Sequence, residues 1–317
     1  MNGAGIMKTK RKKEKLTWAQ FKTYIPLYIM LLPGLIYFFI NNYMPMAGII
    51  VAFKKYSKRK GIFGSSWCGL DNFEYLFKND AAIIIRNTLL YNVVFIILGM
   101  IVGVALAILI TDVYSRKGKK LYQSAILLPF LISIVIVSYI VFAFLSVENG
   151  MINNGLLKPL GLEPIQWYSE PKYWPFILTF VNLWKGCGYG TLIYIAGITG
   201  IDSSFYEAAR LDGASRWQQI TKTTIPCLTP SLITMTMLSL GRIFCSDFGL
   251  FYQVPQNSGA LFDVTQTIDT YVYRALMAAG GIGRSAAAGF FQSVVGFVLV
   301  VSANGLVRKI SRENAMF

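Results

Sequence analysis

The sequence predicts an all-α integral membrane protein with six transmembrane helices, and three observations carry that prediction. Of its 317 residues, 55% are hydrophobic and only 14% are charged, whereas soluble domains carry about a quarter charged residues. Apolar stretches of about 20 residues, the length a bilayer core requires, recur six times along the chain. Lys and Arg gather on one side of the resulting topology, as the positive-inside rule demands.

The elements follow in order. A basic leader, residues 1–24 with MKTKRKKEK at 7–15, reads as a solvated anchor beside anionic lipid. The first span is placed at 25–43. It is not a cleaved signal, because the leader is long, the apolar run continues past Pro33, and no small-residue cleavage site follows. The apolar stretch 44–53 is read as lying near the membrane surface or packing against the bundle. The outer segment 54–80 carries Trp67, Phe73, Tyr75 and Phe77, which are expected to pack on the outer end of the bundle. Further spans are placed at 88–111, 124–145, 175–197, 228–250 and 285–306, with a short tail at 311–317. The membrane domain therefore covers 25–310.

Six spans put both termini on one side. Lys and Arg number 17 on that side and 9 on the other, so the termini are assigned to the cytoplasm. The outer cluster Lys54, Lys55, Lys58, Arg59 and Lys60 runs against the trend without reversing it. The net charge of +15 is thereby explained by segment ends rather than by nucleic acid. The chain has no histidine, which excludes His-based triads and His-ligated metals. Its four cysteines show no C-x-x-C spacing, so no metal site or disulfide framework is expected.

Between the fourth and fifth spans lies EAARLDGASRWQQITKTTIP, at 207–226 within the cytoplasmic segment 198–227. Ser204 and Glu207 have capping-box spacing, Gly213 suits a left-handed helix stop, and Ser215 with Gln218 repeats the box. Pro226 is expected to end the second helix and open the next span. The stretch thus reads as helix, glycine turn, helix. It presents Phe205, Ala208, Ala209, Trp217 and Ile220 either to a partner or to the chain's own bundle. Glu207 has a purely local role open to it as well, reaching back to the Ser204 N–H.

The same stretch resembles the EAA motif of binding-protein-dependent ABC importer permeases. Glu207, Ala208 and Ala209 are followed after three residues by Gly213, and nine more lead to Thr223, Thr224, Ile225 and Pro226. Thr223 and Ile225 depart from the motif's Ile and Leu. GLDNFEYLF (69–77), NTLLYNVV (87–94) and SVVGFVLVVSANGLVRKI (293–310) are similar to sugar permeases of the maltose-permease kind, in particular the Lpl-type oligo- or polysaccharide branch. The resemblance implies the type I ABC importer permease fold in a bacterial plasma membrane. It implies a second permease subunit, two ATP-binding subunits that hold ATP and Mg, an extracytoplasmic solute-binding protein and a carbohydrate substrate. It also implies that the loop docks on an ATPase through Glu207, Ala208, Ala209, Asp212, Gly213, Trp217, Ile220 and Pro226. The outer loops 146–174 and 251–283 become candidate docking sites for the binding protein.

The chain itself has no G-x-x-x-x-G-K-[ST] and so no P-loop; no catalytic residue, bound cofactor or metal is assigned to it. Carboxylates approach the spans only at Asp112 and Asp247, which argues against a proton-coupled carrier. The rival readings are an importer for a non-sugar solute and a membrane-embedded sugar-modifying enzyme. For the substrate pathway the fourth span is the richest, with Asn182, Trp184, Lys185, Tyr189 and Tyr194; Arg242 and Gln292 join from the fifth and sixth. Asn182, Lys185 and Tyr189 are spaced to share one helix face. Lys185 has two structural alternatives, snorkelling or pairing with Asp247. The pairs Gly99 with Gly103 and Gly186 with Gly190 have the small-residue spacing of helix-packing seams, within the subunit or against a second permease.

Overall fold

The computed structural model describes residues 18–278 and 281–310, so most of the basic leader, including 7–15, and the tail at 311–317 lie outside the described residues. The chain divides into two compact units, Met1–Ile50 and Val51–Phe317.

In the first unit, α1 (Trp18–Phe38) continues through a wide turn at Phe39–Tyr43 into a tighter helical run that starts at Met44 and ends at Phe53. It carries Pro26 and Pro33, and the amides of Asn41 and Asn42 fold back on the carbonyls of Tyr37 and Phe38 at 2.9 and 3.2 Å. No described side chain through Ile50 is buried. A helix apolar on every side is the pattern that lipid selects. Tyr24–Phe53 is long and apolar enough to cross a membrane, and at its end Ala52 and Phe53 pack with Phe73, Ala287 and Phe290, the bundle packing expected for this stretch.

The second unit opens with an antiparallel pair, β1 (Lys54–Ser57) and β2 (Ser65–Trp67), in the register Lys54 opposite Trp67, with the short α2 (Gly61–Gly64) between them. Buried Lys54 closes this ribbon by donating to Ile62 O and Phe63 O, both at 3.0 Å. Helix α3 (Asp71–Asn79) follows. Phe73 and Phe77 pack against Phe290 and Phe291, while Trp67 stays outward.

The long helices are α4 (Ala81–Asp112), α7 (Trp174–Thr199) and α14 (Ile282–Ile310). Between the first two lie α5 (Arg116–Leu131) and α6 (Ile134–Leu145). After α7 come α8 (Ser203–Leu211), α9 (Arg216–Gln219), α10 (Ile225–Leu240), α11 (Phe248–Gln253), α12 (Phe262–Thr265) and α13 (Ile268–Met277). Helices α4 and α7 run in the same direction and pack along their length. Their shared core includes Tyr91, Trp174, Leu178 and Val181 near one end, and Ala107, Ile110, Tyr194 and Ile195 near the other. The loop 146–174 is organised by buried Asn153, whose side chain bonds both Ile165 N and O and accepts from Trp167 Nε1 at 3.0 Å.

Two predicted spans are interrupted. The segment 124–145 is not one helix: α5 and α6 meet at a 93° bend. Ser133 starts α6 by accepting from Val135 N, and Pro129 lies in the last turn of α5. The segment 228–250 ends as a helix at Leu240, and the chain turns through 241–247 before α11. Pro226 does not end a helix either. The wide turn Ile220–Thr224 lets the path Arg216–Leu240 continue through it as one membrane-length helix, because a proline at the start of α10 needs no intrahelical N–H there. By length and composition the described residues hold four membrane-crossing helices, or five if the bent pair counts as one. The polar residues of α7, from Asn182 to Tyr189, keep that 26-residue helix off this count.

Candidate functional site

Two sites emerge. The first is the loop between α7 and α10. Its helix α8 is capped by Asp202, whose carboxylate accepts from Ser204 N at 2.9 Å; the Ser204–Glu207 box expected from the spacing is therefore replaced by a cap two residues earlier. The bonds from Ser204 hold the Asp202 carboxyl below the usual carboxylate range. Helix α8 ends in paired bonds, Gly213 N to Arg210 O at 3.0 Å and Ala214 N to Ala209 O at 2.9 Å, with Gly213 at φ +75°. This is the Schellman arrangement, and the left-handed glycine is what permits it. Ser215 and Gln218 then form the reciprocal capping box, at 2.7 and 3.3 Å. One local termination and two caps fix the loop's shape.

One contact ties the loop to α4, and two hold its own parts together. Arg216 Nη1 lies 3.4 Å from Asp112 Oδ1 at the end of α4, Tyr206 OH meets Thr224 Oγ1 at 3.0 Å, and buried Gln219 donates to Ala214 O at 3.0 Å. Beneath the loop is a hollow of about 280 Å³ lined in part by Asp112, Glu207, Arg210, Arg216 and Ile220. Outward, Phe205, Leu211 and Trp217 are exposed at 58%, 89% and 71%. Ala208, Asp212, Gly213 and Pro226 are exposed too, while Ala209 and Ile220 are half-buried. Exposed large apolar groups on a rigid frame form a contact surface.

The second site is a cavity of about 710 Å³ between α4, α7, α10 and the turn 241–247. Asn182, Tyr194 and Arg242 line it, with Asn92, Phe95, Ser239, Ser246, Asp247 and Phe248. The other predicted pathway residues lie elsewhere. Trp184 faces an apolar hollow with Phe176 and Phe180. Tyr189 stacks on Phe130, ring centroids 5.5 Å apart. Lys185 Nζ donates to Phe130 O at 3.1 Å and Ile132 O at 2.7 Å, at the α5–α6 bend. Its partners are thus carbonyls and not Asp247, whose Oδ1 accepts from Leu250 N. Gln292 supports the turn behind the cavity by donating to Phe244 O and Asp269.

Asn182, Lys185 and Tyr189 are spaced along one helix face but meet different neighbours, Asn182 the cavity and the other two α5. Asn182 continues through Gly186 and Gly190 into the cavity, while Lys185 turns towards α5. The glycines divide likewise. A side chain at Gly99, Gly186 or Gly190 would meet nothing within 4 Å, so these are not seams within the chain; Gly103 is one, against the Tyr194 ring at 3.0 Å. The tightest approach on α7 is Gly188, where a Cβ would lie 2.1 Å from Ile126 O. Sequence reading missed Asn92, which donates to Ile243 O and Cys245 O at 3.0 Å each. Its position inside an apolar run was the available signal. Among the described residues no group of three or more His, Cys, Asp or Glu could hold a metal.

Comparison with known proteins places this geometry. The chain is 33% identical to Protein LplB of Bacillus subtilis (strain 168) over 288 residues, 90% of each chain. It is 34% identical to the polygalacturonan/rhamnogalacturonan transport system permease protein YteP of the same organism, over 96% of this chain and 94% of that one. A crystal structure of a bacterial ABC transporter involved in the import of the acidic polysaccharide alginate contains a chain that matches with TM-score 0.84 and 34% identity, over 93% of this chain and 99% of that one. A second structure of the alginate transporter, in complex with an alginate pentasaccharide-bound periplasmic protein, matches with the same TM-score. The family model for the inner membrane component of binding-protein-dependent transport systems matches residues 96–312, and the chain belongs to that family.

Proposed function

We infer that this chain is the membrane-spanning permease subunit of an ATP-driven importer for an oligosaccharide. It works with a second permease, two ATPases and an extracytoplasmic binding protein in a bacterial plasma membrane. The bent pair α5–α6 and the helix α7 each count as a span, giving six with α1, α4, α10 and α14 and leaving the termini in the cytoplasm. The Arg216–Asp112 pair supports this topology, since it brings the loop 203–226 to the same end as the basic segment after α4.

One observation carries the mechanism. The path from Arg216 to Leu240 is a single helix. At one end it bears the exposed Trp217; towards the other, Met235, Thr236 and Ser239 line the cavity. A push on the capped loop therefore moves the cavity wall as a rigid body, the kind of element that converts a local event into alternation between two packed states. ATPase subunits that close on nucleotide would supply the push, with Glu207, Asp212 and the apolar faces of α8 and α9 as the docking surface. The binding protein delivers the sugar to the opposite end. The names of the relatives support an oligosaccharide, and two of them are named for acidic polysaccharides.

The test is ATP hydrolysis by the purified four-subunit complex with and without loaded binding protein. Wild type is expected to be stimulated by the loaded protein. The double substitution Glu207→Lys with Gly213→Asp is expected to assemble in the membrane and lose that stimulation. Unchanged stimulation in the assembled variant would exclude the loop as the coupling element.

A further inference from the structure

The cluster Lys54, Lys55, Lys58, Arg59 and Lys60 runs against the charge asymmetry of the chain, and the importer reading leaves it without a role. No acidic residue occurs between Val51 and Leu70. Lys54 is spent inside the ribbon, on Ile62 O and Phe63 O. Gly61 turns the chain at φ +65°, and Ser65 Oγ donates to Gly61 O at 2.6 Å and accepts from Ser57 N at 3.0 Å. These bonds give the tip 57–65 a fixed shape. They leave Lys58, Arg59 and Lys60 exposed in succession, with Ile62 exposed after them and Phe63 exposed at 85%. None of the three cations forms an ion pair among the described residues.

The level of this tip is set by α14. Asn72 Nδ2 donates to Ala52 O at 2.8 Å and to Lys54 O at 3.1 Å, and a side chain at Gly283 would collide with the same amide. Phe53 and Phe73 both meet the ring of Phe290 edge to face. The ribbon is thereby pinned to the first turns of α14. Ile282–Lys309, 28 residues, is long and apolar enough to cross a membrane. As a helix it extends roughly 42 Å, which matches a bilayer core with both headgroup layers at about 40–45 Å. The ribbon therefore lies at the height of the headgroups. The acids of the outer segment do not offset the tip, because Asp71 and Glu74 surround a separate hollow of about 410 Å³ with Lys55, Lys78 and Arg284, and Glu74 pairs with Lys78. Cations and bare apolar side chains on one rigid edge suit a headgroup layer, where the charges reach phosphate and the apolar groups enter the acyl boundary. Lysine is depleted from protein–protein interfaces, which weighs against a protein partner.

We propose that the tip 57–65 is a membrane-surface anchor on the extracytoplasmic side, where Lys58, Arg59 and Lys60 bind the phosphates of anionic phospholipid headgroups and Phe63 inserts beside them. The side of the membrane rests on the importer reading above. The anchor holds the ribbon and the outer end of α14 at a fixed depth and takes no part in coupling, so ATPase assembly does not depend on it.

The complete complex with its binding protein, carrying the photoreactive p-benzoylphenylalanine in place of Phe63, is irradiated in proteoliposomes of phosphatidylcholine alone or mixed equally with phosphatidylglycerol, and the adducts are identified by mass. A lipid adduct is expected. In the mixture phosphatidylglycerol is expected to be captured at least about fivefold over phosphatidylcholine, the ratio that a single cation near an anionic surface supplies. Lys58→Gln, Arg59→Gln and Lys60→Gln together are expected to bring that ratio close to one. Lys58→Arg with Lys60→Arg is expected to keep it, since the charge stays. Both variants retain Lys54, Gly61 and Ser65, so the tip keeps its frame and the complex is expected to assemble. The proposal is overturned by the absence of a lipid adduct, by capture of the binding protein or the second permease instead, or by a lipid ratio that ignores phosphatidylglycerol or survives the triple substitution. A triple variant that fails to assemble also overturns it, because the cations would then be scaffold. Labelling of Lys60→Cys by a membrane-impermeant thiol reagent, above the wild-type signal, reads the side. Labelling from the cytoplasmic face alone sinks the topology and the importer reading together with the anchor. Labelling from outside without lipid capture sinks the anchor and leaves the importer reading standing.

Discussion

Two helices of this protein are interrupted where a membrane-spanning helix is expected, and the two breaks are handled in opposite ways. At the α5–α6 bend, one lysine from α7 reaches across and donates to both Phe130 O and Ile132 O. Nearby the backbones of α5 and α7 are in contact at Gly188, and the lysine seals the two carbonyls while Phe130 and Leu131 stay exposed. At the turn 241–247, two neutral amides and a carboxylate divide the work: Asn92 takes Ile243 O and Cys245 O, Gln292 takes Phe244 O, and Asp269 accepts from Ser246 N. This break opens on a cavity of about 710 Å³. Irregular backbone at membrane depth is tolerated where protein groups satisfy it or it lines a cavity; the first break relies on the lysine and the second lines the cavity. A charge spent on carbonyls is unavailable to a ligand, whereas amides that satisfy carbonyls leave Arg242 facing the cavity. The difference teaches which polar residues of a span to read as structure and which as site.

The largest effect is expected where the sealed break loses its donor. Lys185→Leu leaves two carbonyls at the bend without a partner. Hydrogen bonds to charged groups contribute about 1.5–3 kcal/mol, so the variant is expected to unfold about 2–3 kcal/mol more easily in detergent, with Lys185→Arg recovering most of the loss. Transport per assembled complex should change little. A lysine that merely snorkels gives the reverse result, because removing its insertion cost of roughly 2.5–3.5 kcal/mol would raise stability. Thermal unfolding of the solubilised permease complex separates the two.

A smaller loss is expected at the open break. Asn92→Leu removes one amide from the set that holds 241–247, and a neutral hydrogen bond is worth about 0.5–1.5 kcal/mol net. Stability is expected to fall by about 1–2 kcal/mol, while uptake falls more steeply because the turn that carries Arg242 is no longer fixed. Equal loss of stability and uptake would mean that the turn is scaffold and not site, and the contrast between the two breaks would collapse.

The contrast also explains what sequence reading reaches. Length and hydropathy gave α7 and α14 to within a few residues and the end of α4, which starts seven residues before the expected 88. Local chemistry gave the loop, since Gly213, Ser215 and Gln218 act on neighbours three or so residues away. The breaks were missed because hydropathy taken over a whole span hides them: Pro129 and Ser133 mark the first, and Gly241, Arg242, Ser246 and Asp247 the second, while the groups that stabilise the irregular backbone come from far along the chain. Lys185 acts on α5 from 53 residues away, and Asn92 on Cys245 from 153. The cap of α8 was misread for a simpler reason. Ser204 and Asp202 are both good N-cap residues, and only geometry chooses between them.

The smallest expected effect tests whether the open side of α7 is open. Gly188 and Gly190 lie two residues apart on this helix and turn to different surroundings. At Gly188 a methyl group would collide with Ile126 O, a backbone atom that cannot swing aside; at Gly190 it would meet nothing within 4 Å. Alanine at 190 in an interior helical position should gain about 0.5–1 kcal/mol from lower backbone entropy in the unfolded chain. It adds a single methyl to a cavity of about 710 Å³. Gly190→Ala is therefore expected to leave thermal stability equal or slightly raised and uptake within about twofold of wild type, the latter because one methyl moves a barrier by well under 1 kcal/mol when it touches nothing. A loss of stability in the isolated chain would mean that the wall of the cavity is closer than the geometry shows. A loss confined to the assembled complex would mean that the second permease inserts a helix against Gly186 and Gly190. In that case the glycine pair is a seam between subunits, and the cavity is roofed by the partner at the level of Tyr194.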